Sequence, residues 1–265
     1  MVDYDEIDNW KEHVDKVLSS HISENIKQEL ISYKSQYIED ACDQLFRIAD
    51  REKIIDAILN WILSTNIIGY HGSRLTDNEV LAIQEDGLIP LHSENRRERL
   101  TRALSKHHKW LEVKANLGNS IQKYGQGCYN GKREGQVHIT LSRTGLTNSF
   151  NHYLRFGSEF DQRLAVDLLG AEGKRLLEQD GIPRLIRLSI PGSDALTASH
   201  PYFSVDDLRN KGDLPNLVKE FIIAWAFKIN NPSFQSRVLQ VDCGMIFYKT
   251  IPPSWILNIE TIFNI

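Results

Sequence analysis

Apolar residues recur at three- and four-residue intervals through the first quarter of the chain. Trp10, Val14, Val17, Leu18, Ile22 and Ile26 form one series, and Ile54, Ile55, Ile58, Trp61 and Ile62 a second. Each is predicted to be the core-facing stripe of a helix. After Asn66 the pattern changes: the short apolar run 67–70 predicts a strand, and the stretch from Leu75 to Gly87 predicts a helix. Thr76 and Glu79 stand at capping-box spacing there, and Gly87 is suited to end the helix. Further strands are predicted over 136–142, 184–190, 220–229 and 244–250, which are rich in Ile, Val, Phe and Tyr and bounded by Gly, Pro or Asn. Helices are predicted over 158–169 and 173–179. This order is α+β; it lacks the regular βαβ alternation, P-loop and GxGxxG string of a doubly wound nucleotide-binding fold. The expected organisation is an N-terminal helical region, 1–66, followed by a second domain, 67–265.

Composition narrows the class. With 265 residues, 41% hydrophobic and 25% charged, the chain can bury a sizeable core and is neither fibrous nor disordered. Its apolar stretches are shorter than the ~20 residues of a membrane-spanning helix. The start, Met1-Val2-Asp3-Tyr4-Asp5-Glu6, lacks the basic and apolar run of a secretory signal. Cytoplasmic residence without a membrane partner is expected. Cys42, Cys128 and Cys243 are too widely spaced for a disulfide framework or a CxxC zinc site, so reduced, structural cysteines are expected. The net charge of −4 hides an asymmetry: 1–66 carries seven basic and fourteen acidic residues, whereas 91–133 carries ten basic and three acidic ones.

Four strings then appear in a telling order. Tyr70-His71-Gly72-Ser73-Arg74 closes the first predicted strand of the second domain and is followed by a helix and Gly87-Leu88-Ile89-Pro90. The predicted strand 136–142 precedes Ser149-Phe150-Asn151-His152-Tyr153. Lys219-Glu220-Phe221-Ile222-Ile223 opens a later predicted strand, and Ile251-Pro252-Pro253-Ser254-Trp255-Ile256 lies near the end. Together they resemble the ADP-ribosyltransferase superfamily, in particular its poly(ADP-ribose) polymerase-like, diphtheria-toxin-like branch. The resemblance covers roughly 67–259 and leaves out the N-terminal helices. It implies a split mixed β-sheet core and NAD as substrate. It also implies catalytic roles for His71, Tyr153 and Glu220, and an NAD-binding set of His71, Gly72, Ser73, Thr140, Ser142, Ser149 and Tyr153.

The chemistry suits those residue types. Breaking the nicotinamide–ribose bond develops oxocarbenium-like charge on the ribose, which a nearby carboxylate such as Glu220 stabilises while orienting or deprotonating the acceptor. His71 offers a ring nitrogen to a ribose hydroxyl. Gly72, lacking a Cβ, lets backbone N–H and C=O approach a planar carboxamide, to which Ser149 adds a hydroxyl; Tyr153 can stack on the pyridinium face. One position departs from the family pattern: where its second strand carries Tyr, this chain offers His138, Thr140 and Ser142 on alternating positions. One of the three must serve, and the departure favours mono-ADP-ribosylation over polymer synthesis. Glu159, in Phe156-Gly157-Ser158-Glu159-Phe160, is the alternative essential acid if the 219–223 string is not the third motif. Arg74 is a further secondary candidate.

The basic insertion 91–133 is the candidate acceptor-binding surface. Arg96, Arg97, Arg99, Arg102, Lys106 and Lys109, with Trp110, Tyr124 and Tyr129, suit phosphate contacts and stacking on RNA, DNA or a protein bound to them. The acidic N-terminal region would then shield the site or dock a neutralising partner. No HExxH, HxH or Cys/His cluster appears, so no metal is expected. The resemblance suggests a bacterial toxin or phage-defence effector. The alternatives are an NAD-dependent RNA 2′-phosphotransferase, an NAD glycohydrolase, or a non-catalytic nucleic-acid- or protein-binding module.

Overall fold

The computed structural model describes residues 1–125, 134–200, 203–204, 206–207 and 214–263. In chain order the elements begin with α1 (Ile7–Leu18), α2 (Glu24–Ser32), α3 (Ile38–Ile48), α4 (Arg51–Leu63), β1 (Asn66–Leu75), α5 (Asp77–Asp86), α6 (Arg96–Leu104), α7 (Trp110–Val113) and α8 (Leu117–Tyr124). They continue with β2 (Val137–Ile139), α9 (His152–Phe156), α10 (Glu159–Glu178), β3 (Ile182–Pro191), α11 (Gly192–Ser199), α12 (Asn216–Asn230), β4 (Met245–Phe247) and β5 (Ile256–Thr261). The chain is thus α+β, with helices predominating over short strands. No helix among the described residues is long and apolar enough to cross a membrane.

Two compact units are interleaved along the sequence. Unit 1 comprises Met1–Gly69, Thr140–Gly145 and Ser189–Ile246; unit 2 comprises Tyr70–Ile139, Leu146–Leu188 and Phe247–Ile265. The first segment of unit 1 ends close to the boundary expected after Asn66, but the unit also takes in two later stretches of chain.

Unit 1 is helical. Helix α1 buries Ile7, Trp10, Val14 and Leu18, the face its periodicity predicts. Helix α4 is capped by Asp50, whose side chain accepts from Lys53 N at 3.2 Å, and buries Ile54, Ile58, Trp61 and Ile62. Both helices pack around α12, whose Phe221 ring meets Tyr4, Trp10 and Trp61 edge-on at 5.5, 5.1 and 5.2 Å. Such edge-to-face pairs suit the aromatic quadrupole. The N-terminus is tied in by backbone pairing: Val2 N donates to Asn66 O and Ile68 N to Val2 O, both at 2.8 Å. Gly192 permits a close crossing, because a Cβ there would lie 1.8 Å from Ile62 O.

The strand predicted over 220–229 is instead the interior of α12. Leu217, Val218, Phe221, Ile222, Ile223, Ala224, Trp225 and Ala226 are all buried, so the helix is apolar on nearly every side and shows no amphipathic period. A continuous apolar run with β-branched and aromatic residues then reads as a buried strand. Elsewhere the expected strands are present but shifted. The predicted 67–70 strand extends to Leu75, 136–142 shortens to β2, and 244–250 to β4.

In unit 2, α10 packs against α6, α8 and α9. Leu100, Leu104, Leu117, Ile121, Phe160, Leu164 and Leu177 form its core. The two helices expected over 158–169 and 173–179 are the halves of α10, which is interrupted at Gly170 with φ 61°. Strands β1, β3 and β5 make a three-stranded sheet in that order, and β3 runs antiparallel to β5 from Arg184 opposite Thr261 to Leu188 opposite Ile256. Helix α5 carries the expected capping box: Thr76 Oγ1 accepts from Glu79 N while Glu79 Oε2 accepts from Thr76 N at 2.8 Å.

Candidate functional site

Within unit 2 the structure joins strings that lie far apart in sequence. His71 and Ser73 alternate along one face of β1 with Gly72 on the other, inside the strand rather than at its end. The His71 Nδ1 lies 2.8 Å from the backbone oxygen of His138 on β2. A carbonyl only accepts, so Nδ1 carries the proton and Nε2 keeps its lone pair. Burial holds the His71 pKa below the ordinary value of 6.5, against the opposing pull of that carbonyl, so the ring is neutral near pH 7. His71 thus presents a fixed acceptor. Gly72 is closely covered: a Cβ there would stand 3.0 Å from Leu146 Cδ2 and 3.3 Å from Leu154 Cδ2. Leu154 belongs to α9, which also carries Tyr153.

Two other strings of the resemblance also meet. Leu88 N donates to Ile251 O and Ile251 N to Leu88 O, each at 3.0 Å. Gly87, at φ 85°, allows the approach, since a Cβ would lie 2.0 Å from Ile251 O. The Gly-Leu pair after α5 is therefore fastened to the Ile-Pro-Pro string by a reciprocal backbone bridge.

Glu159 opens α10 and accepts from the Tyr153 hydroxyl at 2.9 Å; His152 Nε2 lies 3.7 Å from the same carboxylate oxygen. The His152 and Tyr153 rings are 4.0 Å apart at 37°. The Glu159 side chain is 43% exposed. Ser149 is exposed and ends the wide turn 145–149. Arg74 is partly buried, with an Nε that has no hydrogen-bond partner; burial, with Arg99 nearby, lowers its pKa against the opposing pull of Glu178 and Asp180.

Thr140 and Ser142, expected at the middle position, are bound within unit 1. Thr140 Oγ1 donates to Val241 O at 3.3 Å. Ser142 is fully buried, donates to Asp5 Oδ1 at 2.8 Å and accepts from Gly145 N at 3.0 Å. His138 is the member of the trio beside His71, through its main chain, while its ring Nε2 contacts Gln136 Oε1 at 2.8 Å.

Glu220 lies in the second turn of α12 in unit 1, whereas His71 belongs to unit 2. Burial raises its carboxyl pKa; Lys219 pulls it down and Glu39 pushes it up. Its charge also acts on buried unit 1 groups: Cys243, pushed up to about 12 chiefly by burial, and Tyr4, raised by burial and then by Glu220.

The basic insertion differs from the expected polyanion surface. Asp161, fully buried, takes Arg96 in a two-pronged contact and stands 3.3 Å from Arg99 Nε. Arg99, itself 3% exposed, reaches Glu79 at 3.2 Å. Arg102 binds Asp180 at 2.9 Å and Glu79 at 3.3 Å, and Lys106 lies 4.0 Å from Asp180. Burial opposes the charges of Arg96 and Asp161, yet mutual attraction raises the arginine pKa and lowers that of the aspartate. These side chains fasten α6 to α5 and α10. Arg97, paired with Glu94, Lys106 and Lys109 are the exposed cations among the six. Trp110 packs on the unit 2 core, and the Tyr124 hydroxyl donates to Asp167 at 3.1 Å, so neither is an open stacking platform. Tyr129 and Cys128 lie outside the described residues; Cys42 and Cys243 are buried free thiols.

Sequence reasoning missed the acidic partners of α6, because Glu79, Asp161 and Asp180 lie outside the 91–133 window. It also missed a grouping of His107, His108 and Glu172, whose only sequence signal is the histidine doublet.

No family model, curated protein or solved structure matches this chain.

Proposed function

We propose that the chain binds NAD and breaks its nicotinamide–ribose bond, transferring ADP-ribose to a macromolecular acceptor, nucleic acid or protein. The observation that carries this reading is the neutral His71, whose Nδ1–H is held by the His138 carbonyl and whose Nε2 is left to accept a ribose hydroxyl. In support, Gly72 and the Tyr153–Glu159 pair belong to the same unit, and the Gly87-Leu88 and Ile251-Pro252-Pro253 strings are bridged there. The finer fold reading, an ADP-ribosyltransferase-like split sheet, rests on the same motifs.

The carboxylate assigned to the reaction is Glu159, in place of the helix-borne Glu220. As the C1′–N bond breaks, its electron pair passes to the nicotinamide ring, and the carboxylate stabilises the positive charge growing on the ribose. The acceptor's lone pair then forms the new bond at C1′, and its proton passes to Glu159 or to water. With water as acceptor the same steps make an NAD glycohydrolase.

Incubating the full chain with NAD tests this by nicotinamide release and by an ADP-ribose adduct on lysate protein or RNA. Glu159→Gln is expected to lower turnover by roughly 10²–10⁴-fold and His71→Ala by about 10²-fold through lost positioning. A helical Glu220 is the observation that favours the rival, a non-catalytic binding module. NAD binding without turnover, or neither, would establish that rival and overturn the enzyme.

A further inference from the structure

We propose that His107, His108 and Glu172 form a binding site for a divalent transition-metal ion, zinc being the best match. The two histidines follow α6 in the turn Ser105-Lys106-His107-His108-Lys109, and Glu172 lies on α10 just beyond the break at Gly170. One ligand atom from each of the three lies within 4.8 Å of the others. All three belong to unit 2, and the site is independent of the NAD reading.

The donor set is specific. Two imidazoles and one carboxylate, with no thiolate, suit zinc and its first-row neighbours rather than calcium or magnesium, which prefer oxygen-only shells. Zinc bonds of about 2.0–2.2 Å in tetrahedral geometry place ligand atoms ~3.4 Å apart. His107 Nε2 and Glu172 Oε2 are already 2.5 Å apart, and the two imidazole rings stand 4.4 Å centre to centre at 31°. His108 and Glu172 are exposed, so the remaining closure requires only side-chain rotation, with water taking the fourth position. His107 is the anchored member, its side chain only 9% exposed.

Binding has a defined local cost. Lys109 N donates to His107 Nδ1 at 3.2 Å, which places the proton of the neutral ring on Nε2, facing Glu172. An ion at Nε2 requires that proton to move to Nδ1, and the Lys109 N–H then turns to water. What is gained is a cross-link between the turn after α6 and the second half of α10.

Titration calorimetry of the chelator-treated full chain with zinc chloride tests the site, with circular dichroism checking that each variant folds. One zinc per chain is expected, with affinity at least about tenfold weaker in both His108→Ala and Glu172→Gln. Cobalt substitution should give the visible absorption of a four-coordinate ion, lost in the same variants. Absence of one-to-one binding, or unchanged affinity in either folded variant, overturns the proposal.

Discussion

Glu159 and Glu220 are both helix-borne glutamates, and their surroundings give them opposite properties. Glu159 lies at the start of α10, exposed and hydrogen-bonded by Tyr153. Glu220 is mostly buried and its folded pKa is raised above the ordinary 4.5. The linkage sign follows: a raised carboxyl pKa contributes stability below 4.5 and loses it as pH rises through the folded value. Glu220→Gln removes that loss. Its melting temperature is expected to exceed that of the wild type at pH 7, the gap narrowing toward pH 4, as thermal denaturation across pH will measure. Lower stability of the variant at pH 7 would mean that the ionised carboxylate is used structurally.

At the scale of elements, α6 is held by charge as much as by its apolar face. Asp161→Asn leaves Arg96 and the buried Arg99 without their shared counter-charge, and removing one partner of a buried pair costs about 3–5 kcal/mol. The urea midpoint should fall accordingly. Since Asp161 titrates below its ordinary value of 3.8, its contribution is complete above that value and is lost as pH falls through the folded pKa; the two proteins should converge in acid. This network also marks where sequence reading stops. Local signals were legible: the Thr76–Glu79 capping box, the Gly87 terminus and the stripes of α1 and α4 all depend on residues a few positions apart. The partners of Arg96 and Arg102 were not, because Asp161 and Asp180 come from distant chain. The α12 segment was misread for a different reason, since burial on every side erases the period that separates helix from strand. In the candidate site the motif residues around His71 and Tyr153 were legible as types, but the His138 carbonyl that fixes the imidazole tautomer has no side-chain signature.

At the scale of the molecule, the chain passes from one unit to the other after Gly69, Ile139, Gly145, Leu188 and Ile246. Neither unit is a contiguous piece of sequence. A fragment of residues 1–66 contains α1 to α4 but lacks α12, on which Trp10 and Trp61 pack through Phe221. Such a fragment is expected to show reduced helix by circular dichroism and no cooperative urea transition; a sharp transition would mean that α12 is dispensable to the fold of those helices.

The interleaving also sets a timetable for biosynthesis. Trp61 leaves the ribosome about 160 residues ahead of Phe221 and Trp10 about 210, a delay on the order of ten to forty seconds at ~5–20 residues per second. Through that interval the nascent helices present an indole-rich face with no native cover, the kind of surface that holding chaperones protect. Synonymous codon changes that slow elongation between residues 70 and 216 would prolong that exposure without altering a single side chain.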